Sequence, residues 1–597
     1  MPTPDTRRDF AADERLLGIT AAAALVGISS SAAAYVLLEL IRLFTNIFFF
    51  HSWSTAPNSP AHNTLGLWVI PVPIVGALII GFLARFGSEK IRGHGIPEAI
   101  EAILFGKSKM SLKVALLKPL SSGIAIGSGG PFGAEGPIIM TGGALGSLLG
   151  QFLHITGGER KALLVAGAVA GMTAIFGTPI AAVMLAVELL LFELRPRSLL
   201  PVAVACAVAG FARSYFFGTE ALFPLQTSVV TPICLLSCLL AGIASGALSW
   251  VLSTSLYIVE DAFGRLPIHW MWWPAMGAVV IGIGGCLQPR ALGVGYDVIG
   301  DLLQNHLAIG VALALLLCKG VMWVIALGSG TSGGVLAPLL MLGAGLGVVL
   351  GPFLPGGEPT LWPLVCMAAT LGGMMRAPIM ALMFAFEVTH DGNALLPLLT
   401  ACGAAYGFTV LLMPRSILTE KIARRGYHIY REYGIDPLER HTVSEVMTRE
   451  VTTIEAQVSI ADALRTYFGP QQSHRAFPIV REGMFLGMVD RAMLVKHLEA
   501  FPAMCVGGLF GENLPVIALP EETCRIVATR LAVHHLERLP VVKDADSREL
   551  LGLVARSDLI KPSRSLFDEE HLDEQFDPTP FGGLRNAFRR PSPIKRR

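Results

Sequence analysis

Charge is what this sequence has least of. Only 15% of its residues are charged, against about 25% in an average soluble protein. The signs nearly cancel, leaving a formal net charge of +1. There is no basic excess to meet a nucleic-acid backbone, so that class of partner is excluded. Cysteine is sparse and shows no CxxC spacing among its nine residues, which argues against a metal cluster or a disulfide framework. Most of these thiols fall in apolar runs, where Cys behaves as a small hydrophobe. Nucleophile–base pairs, metal-ligand spacings and a Walker loop are missing as well, so no enzyme is expected and no cofactor is required. The opening residues, MPTPDTRRDFAADERLLG, mix signs ahead of the first apolar stretch. They lack the short apolar core and cleavage site of a removable signal peptide.

Apolar runs are what the sequence has in abundance. They recur from Leu16 to Met413, as in LGLWVIPVPIVGALIIGFLA (65–84) and AIGVALALLLCKGVMWVIAL (308–327). Stretches of about 20 apolar residues cross a bilayer core. Many others are broken by Gly and Pro, and such breaks survive at membrane depth only where protein or a water-filled cavity covers the backbone. An all-α polytopic membrane protein is predicted. Lys421, Arg424, Arg425 and Arg431 follow the last apolar run. The positive-inside rule puts that end, and everything after it, in the cytoplasm.

One pattern is written twice. GSGGPFGAEGP (127–137) leads into IIMTGGALGSLLG, and GSGTSGGVLAP (328–338) leads into LLMLGAGLGVVLG. A single offset of 201 residues superimposes Gly133 on Gly334, Pro137 on Pro338, Gly142 on Gly343, Gly146 on Gly347 and Gly150 on Gly351. A second pair, TPIAAVMLAVE (178–188) and APIMALMFAFE (377–387), follows in each half. Gly-broken apolar segments at matching places in two halves point to a transport site between the halves.

Each motif reads as a bend entering a helix that starts inside the membrane, because Gly allows close backbone approach and Pro suits the first helical turn. GHGIPEA (93–99) is a third such start. A helix start offers free N–H groups and a partial positive charge of about +0.5. Facing starts make an anion site without a full positive charge, and weak dipoles can bind an anion and still release it. Glycines 142, 146 and 150 are also explained by close helix packing. Glu135 is not, since a carboxylate at membrane depth is costly and usually functional. Its place at a helix start lets it compete with a free anion for the same N–H groups, as a gate sensitive to pH and anion concentration. A plain helix cap is the alternative.

These motifs resemble those of the CLC chloride channels and transporters with a cytoplasmic CBS pair, over residues ~15–562. GHGIPE is similar to the family's GSGIPE, GAEGP to GREGP, and GSGTSGGVLAP to the third anion-binding motif. The resemblance implies about 18 helices in two inverted repeats, followed by an α/β tandem CBS module, in a homodimer with one anion pathway per subunit. It implies Glu135 as gate. Its anion-binding set is His94, Gly95, Ile96, Gly133, Ala134, Gly136, Val335, Leu336 and Leu418. The expected domains are a cytoplasmic segment 1–15, the transmembrane domain 16–426, a linker 427–440, CBS domains 441–500 and 501–562, and a disordered tail 563–597 with acidic and basic blocks.

The departures bear on mechanism. His94 stands where the family often has a Ser, and is either an N–H donor to the anion or a cap or packing residue. Leu418 stands where the family has a Tyr and brings no hydroxyl. Ala134 replaces the Arg of GREGP. Leu189 follows Glu188, where exchangers of the family carry an inner proton-passing glutamate. Glu193, one helical turn beyond Leu189, and Glu188 are the candidates for a proton pathway. The alternatives are an exposed helix-end carboxylate beside Arg195 and Arg197 for Glu193, and a structural role shared with Glu387 for Glu188.

The soluble region repeats too. A first unit runs from VSEVMTREVTTI (443–454) through AFPIV (476–480) and FLGMVD (485–490). A second begins near Val506 and runs through LPVVKD (539–544) and LLGLVARSDLI (550–560). CBS pairs commonly bind adenine nucleotide. Here Asp558 of the usual signature is kept while Ala555 takes the hydroxyl slot, which favours a dimerisation and coupling role. The expected function is a glutamate-gated chloride channel in the inner (plasma) membrane. Chloride/proton exchange is the nearest alternative, and a CBS-regulated cation transporter the more distant one.

Overall fold

In the computed structural model the chain divides into two units, one through Arg431 together with Asp573 onward, the other Glu432–Leu572. The structure describes residues 15–561 and 573–574, apart from residues 219, 428, 430–437, 439–440, 470–471, 473, 502–503 and 511–515. Residues 1–14, most of the 427–440 linker, and the 563–597 tail apart from residues 573–574 lie outside the described residues. Within that tail, Asp573–Glu574 pair antiparallel with Ile155–Thr156 of the first unit, a short strand where no structure is expected from composition.

The first unit is helical. Its first half comprises α1 (Arg15–Phe50), α2 (Pro71–Phe86), α3 (Ile96–Leu104), α4 (Leu112–Gly127), α5 (Glu135–Phe152), α6 (Gly157–Phe176), α7 (Pro179–Leu185) and α8 (Pro196–Phe216). The second half repeats that order as α9 (Pro232–Gly264), α10 (Trp273–Leu287), α11 (Tyr296–Leu303), α12 (Ile309–Gly328), α13 (Leu336–Leu350), α14 (Leu361–Met375), α15 (Pro378–Thr389) and α16 (Leu395–Leu412), and α17 (Ile417–Arg424) closes the unit. Among the described residues, eight helical segments are long and apolar enough to cross a membrane. The central α6 and α14 are buried almost throughout, as helices apolar on every face must be. Outer helices expose large apolar side chains such as Leu25, Phe211, Leu236 and Leu411, a surface that suits lipid and not water.

Small residues set the spacing of the core helices. A Cβ on Gly142 would lie 2.2 Å from the Gly167 carbonyl oxygen, and one on Gly167 2.1 Å from that of Gly142. A Cβ on Gly146 would lie 2.1 Å from the Leu163 carbonyl oxygen, and one on Gly347 2.3 Å from that of Trp362. The glycine stripes of α5 and α13 therefore bring their axes close to α6 and α14.

Several elements pack on their own counterparts, α2 on α10 and α7 on α15, the signature of a two-fold relation between the halves. The same reciprocity governs the second motif pair. Glu387 accepts hydrogen bonds from Ile180 N–H (2.9 Å) and Ala181 N–H (2.8 Å) at the start of α7. Glu188 accepts from Ile379 N–H (3.4 Å) and Met380 N–H (2.9 Å) at the start of α15. Each carboxylate thus satisfies helix-start donors of the other half. The Glu188 helix then changes to a π turn over Ala186–Leu191 and stops at Phe192, whose φ is 54°.

In the second unit, Ile454–Glu455, Ala476–Arg481 and Met484–Asp490 form one sheet, with the last two antiparallel. Arg538–Val542 and Leu550–Ala555 form a second antiparallel pair. The modules exchange their entry segments. Val443 and Val446 pack into the core holding Val527, Leu539 and Val554, whereas Val506 packs into the core holding Ile454, Phe477 and Val489. Backbone bonds explain it: Thr448 and Leu553 exchange N–H to carbonyl bonds at 2.8 and 2.9 Å, and Gly507 N–H reaches the Ala456 carbonyl at 2.9 Å. Each core therefore takes its entry segment from the neighbouring module.

Replacing either cross-capping carboxylate, Glu188→Ala or Glu387→Ala, should cost roughly 1–2 kcal/mol, the usual loss for a helix cap. It should lower the thermal unfolding midpoint of the detergent-purified protein. An unchanged midpoint in both variants would show that these caps contribute nothing.

Candidate anion site and gate

The glycine motifs do what their composition predicts. After α4 ends at Gly127 the chain turns at Gly129 (φ 98°) and starts α5 at Glu135; after α12 ends at Gly328 it turns at Gly330 (φ 82°) and starts α13 at Leu336. Pro137 and Pro338 both fall in first turns, where their missing N–H leaves no bond unmade. The two loops meet at an antiparallel bridge. Gly334 N–H donates to the Gly133 carbonyl at 2.9 Å, and Gly133 N–H to the Gly334 carbonyl at 3.3 Å. The third start joins them. Gly93 bridges Ser332, a Cβ on Gly136 would sit 1.8 Å from the His94 carbonyl oxygen, and one on Gly95 would sit 2.6 Å from that of Gly136. Three helix starts, of α3, α5 and α13, converge inside the protein, and the N–H groups of Gly136, Val335 and Leu336 have no acceptor among the described residues.

Glu135 is fully buried and folds back over this junction. A Cβ on Gly133 would lie 1.8 Å from its Oε2, and one on Gly334 2.8 Å from the same atom. The carboxylate therefore occupies a cradle that exists only because both motifs carry glycine there. The amides of Glu135 and of Ala337, at the start of α13, act on it electrostatically. Oε1 accepts a hydrogen bond from the Tyr296 hydroxyl at 3.3 Å, and Oε2 has no hydrogen-bond partner among the described residues. A buried carboxylate oxygen with no bond is costly.

The other predicted residues divide. Gly95 N–H is taken by Glu98 Oε2 (2.9 Å), whose Oε1 meets Arg425 Nη2 (2.8 Å) and Lys421 Nζ (3.7 Å), so that amide is committed to a cap. Gly133 N–H is committed to the bridge. Ile96 is the first residue of α3 and Ala134 the N-cap of α5; both are buried. His94 is buried, and neither ring nitrogen has a hydrogen-bond partner among the described residues. Leu418 is buried in α17, a short helix packed on α3 and fixed by a Ser416–Thr419 capping box and a hydrogen bond from the Tyr257 hydroxyl to the Ile417 carbonyl. It brings no polar atom.

Glu193 is not where the helical spacing predicts. Because the π turn ends at Leu191 and Phe192 adopts a left-handed conformation, Glu193 leaves the helix and does not share a face with Leu189. It accepts from Ser198 Oγ at 2.6 Å and lies 3.6 Å from Arg195 Nε, in the company of α8. Leu189 itself is fully buried. In the second unit, Asp558 Oδ2 accepts from Ala555 N–H at 2.8 Å and Oδ1 pairs with Lys561 at 2.8 Å.

Three residues escaped the motif reading. Lys118 and Lys319 are both fully buried. Lys118 Nζ donates to the Ile91 and Gly93 carbonyls (2.8 Å each) and to Ser332 Oγ (3.0 Å). Lys319 Nζ donates to the Ala291 (2.9 Å) and Gly293 (2.7 Å) carbonyls. Each ammonium satisfies carbonyls of the irregular segment that precedes a partial helix. The third residue is Tyr296. The signal was in the repeat: Lys118 and Lys319 share the offset of 201, and Gly93-His94-Gly95-Ile96 is echoed by Gly293-Val294-Gly295-Tyr296.

Comparison with known proteins gives the family. The sequence profile described as voltage gated chloride channel matches residues 75–410, and the CBS domain profile matches residues 443–500 and 514–564. The voltage-gated ClC-type chloride channel ClcB of Salmonella typhimurium is 29% identical over 420 residues, covering 67% of this chain and 98% of its own. The H(+)/Cl(-) exchange transporter ClcA of Vibrio campbellii is 30% identical over 366 residues, covering 57% of this chain and 77% of its own. A solved structure of a eukaryotic CLC transporter shares the fold, with a TM-score of 0.60 at 18% identity over 91% of this chain and 98% of its own. Multi-pass architecture, facing glycine motifs and a CBS pair all accord with one assignment. The chain belongs to the CLC family of chloride channels and transporters, which are not enzymes, and carries C-terminal CBS domains.

Proposed function

We propose that this protein is a chloride channel in which the Glu135 carboxylate is the gate. One observation carries the reading: Oε2 of Glu135 lies unbonded in the glycine cradle at the junction of helix starts, the place where a permeating anion would be held. The carboxylate impersonates the passenger. When it takes a proton it loses the charge that the N–H groups and helix dipoles favour, and it yields the seat. Flux therefore rises as pH falls. Val335, Leu336 and Gly136 supply amide donors to the anion, and His94 supplies a ring N–H. Unpaired N–H donors meet at the seat, which disfavours a cation as cargo.

Passive conduction is favoured over proton exchange by the cytoplasmic half of the route. Leu189 is apolar and buried, Glu188 is engaged in the cross-cap, and Glu193 is held by Ser198 and Arg195. The similarity to an exchange transporter keeps exchange as the second reading. The channel works as a homodimer in the inner (plasma) membrane, one pathway per subunit. Lys421, Arg424 and Arg425 set the cytoplasmic side, where the CBS pair and the C-terminus lie. With Asp558 tied to Ala555 N–H and Lys561, and Ala555 offering no hydroxyl, the CBS pair couples and dimerises the subunits in preference to sensing adenine nucleotide.

Anion flux from liposomes, recorded with a simultaneous pH signal, tests the function. Steady proton movement driven by a chloride gradient alone would replace the channel reading with exchange. Glu135→Gln should raise chloride flux and flatten its pH dependence, holding it near the acid level of the unaltered protein; a retained pH profile would remove the gate. His94→Ser should change anion affinity or selectivity several-fold, as expected for one hydrogen bond to a charged group, and no change would assign His94 to packing.

A further inference from the structure

A hydroxyl is missing from the His94 and Leu418 positions, yet one reaches the seat from elsewhere. Tyr296 is the first residue of α11, the second-half counterpart of α3, and its hydroxyl donates to Glu135 Oε1 at 3.3 Å. We infer that Tyr296 is the hydroxyl donor of the anion site, hydrogen-bonding whichever negative group fills the seat: the Glu135 carboxylate when the gate is shut, the anion when it is open. This rests on the gate reading of Glu135 and adds the residue that sets affinity and anion preference there.

The hydroxyl is held independently of the gate. The loop before it turns at Gly293 (φ 62°) and Gly295 (φ 76°). Gly293 N–H donates to the Gly129 carbonyl of the first glycine motif at 3.1 Å, and Lys319 Nζ clamps the Ala291 and Gly293 carbonyls from below the turn. The half-buried ring lies edge-on to Phe176 (centroids 6.0 Å, 83°) and near Phe223 (6.4 Å), and Phe176 is backed by Phe384 at 5.0 Å. None of these contacts involves Glu135. When the carboxylate leaves, the phenol keeps its place, and a preorganised donor costs no reordering when the anion arrives. A hydroxyl favours a charge-dense anion over a large diffuse one, because the strength of the bond follows the charge on the acceptor. Tyr296 therefore tilts the site toward chloride over thiocyanate.

The test removes the gate first. Glu135→Ala and Glu135→Ala/Tyr296→Phe full-length proteins are reconstituted in liposomes, and the chloride concentration for half-maximal flux and the chloride-to-thiocyanate flux ratio are measured in both. Loss of one hydrogen bond should raise the half-saturating chloride concentration about fivefold and shift the ratio toward thiocyanate. The Phe ring retains the aromatic packing, and an unchanged thermal unfolding midpoint verifies that. If Glu135→Ala raises flux but Tyr296→Phe leaves both half-saturation and ratio unchanged, the seat exists and Tyr296 is not its donor. If Glu135→Ala leaves flux as it was, the gate reading fails and this inference fails with it.

Discussion

The structure depends on a backbone contact that no side chain could share. At the Gly133–Gly334 bridge two irregular loops exchange hydrogen bonds, and the helices leaving them begin within the protein instead of at a membrane surface. Unpaired backbone at that depth is prohibitive unless protein satisfies it. Here each half satisfies the other. The bridge uses two N–H groups and leaves those of Gly136, Val335 and Leu336 without an acceptor among the described residues. A methyl group on Gly133 would displace the Glu135 carboxylate, and one on Gly136 would strike the His94 carbonyl. Packing and function thus rest on the same few absent atoms.

The reciprocity extends outward. Lys118 and Lys319 perform the same task on matching loops, and Glu188 and Glu387 cap each other's neighbouring helix. Buried charges of this kind are tolerable only when their hydrogen-bonding capacity is met. In each case it is met by backbone groups left over at helix ends. Two-fold architecture makes this economical, since one solution to an orphaned carbonyl or N–H serves twice.

Much of this was legible before any coordinates. The glycine offset located the two halves, and Pro after Gly located the helix starts at Glu135 and Leu336. The β-branched runs at 476–480 and 539–544 located strands of the soluble unit. These features are local, and local chemistry writes them into short stretches. What could not be read were contacts between residues far apart in sequence: Tyr296 with Glu135, Lys118 with Ser332, and the exchanged entry segments at Val443 and Val506. The face expected for Glu193 was missed for a different reason. A helical period was extended past a point where the backbone had already left the helix, and nothing in Leu191-Phe192-Glu193 announces a left-handed residue.

The repeat is most informative where it breaks. The scaffold is nearly two-fold, but the polar groups at its centre are not: Glu135 stands opposite Leu336, His94 opposite Val294, and Tyr296 opposite Ile96. A gate requires this asymmetry. Two carboxylates facing one seat could not both ionise, since like charges in contact force one to hold a proton, and a shared proton would shut the site to anions over a wide pH range. With apolar Leu336 in the second position, the proposed gate has one carboxylate competing against one free anion for a common set of N–H groups. In the proposed site the hydroxyl comes from the half without the carboxylate, so a fixed donor and a mobile gate sit on separate backbones. A symmetric frame that brings two helix starts together, carrying one charged side chain and one neutral donor from opposite halves, is what the proposed exchange between an anion and its own substitute requires.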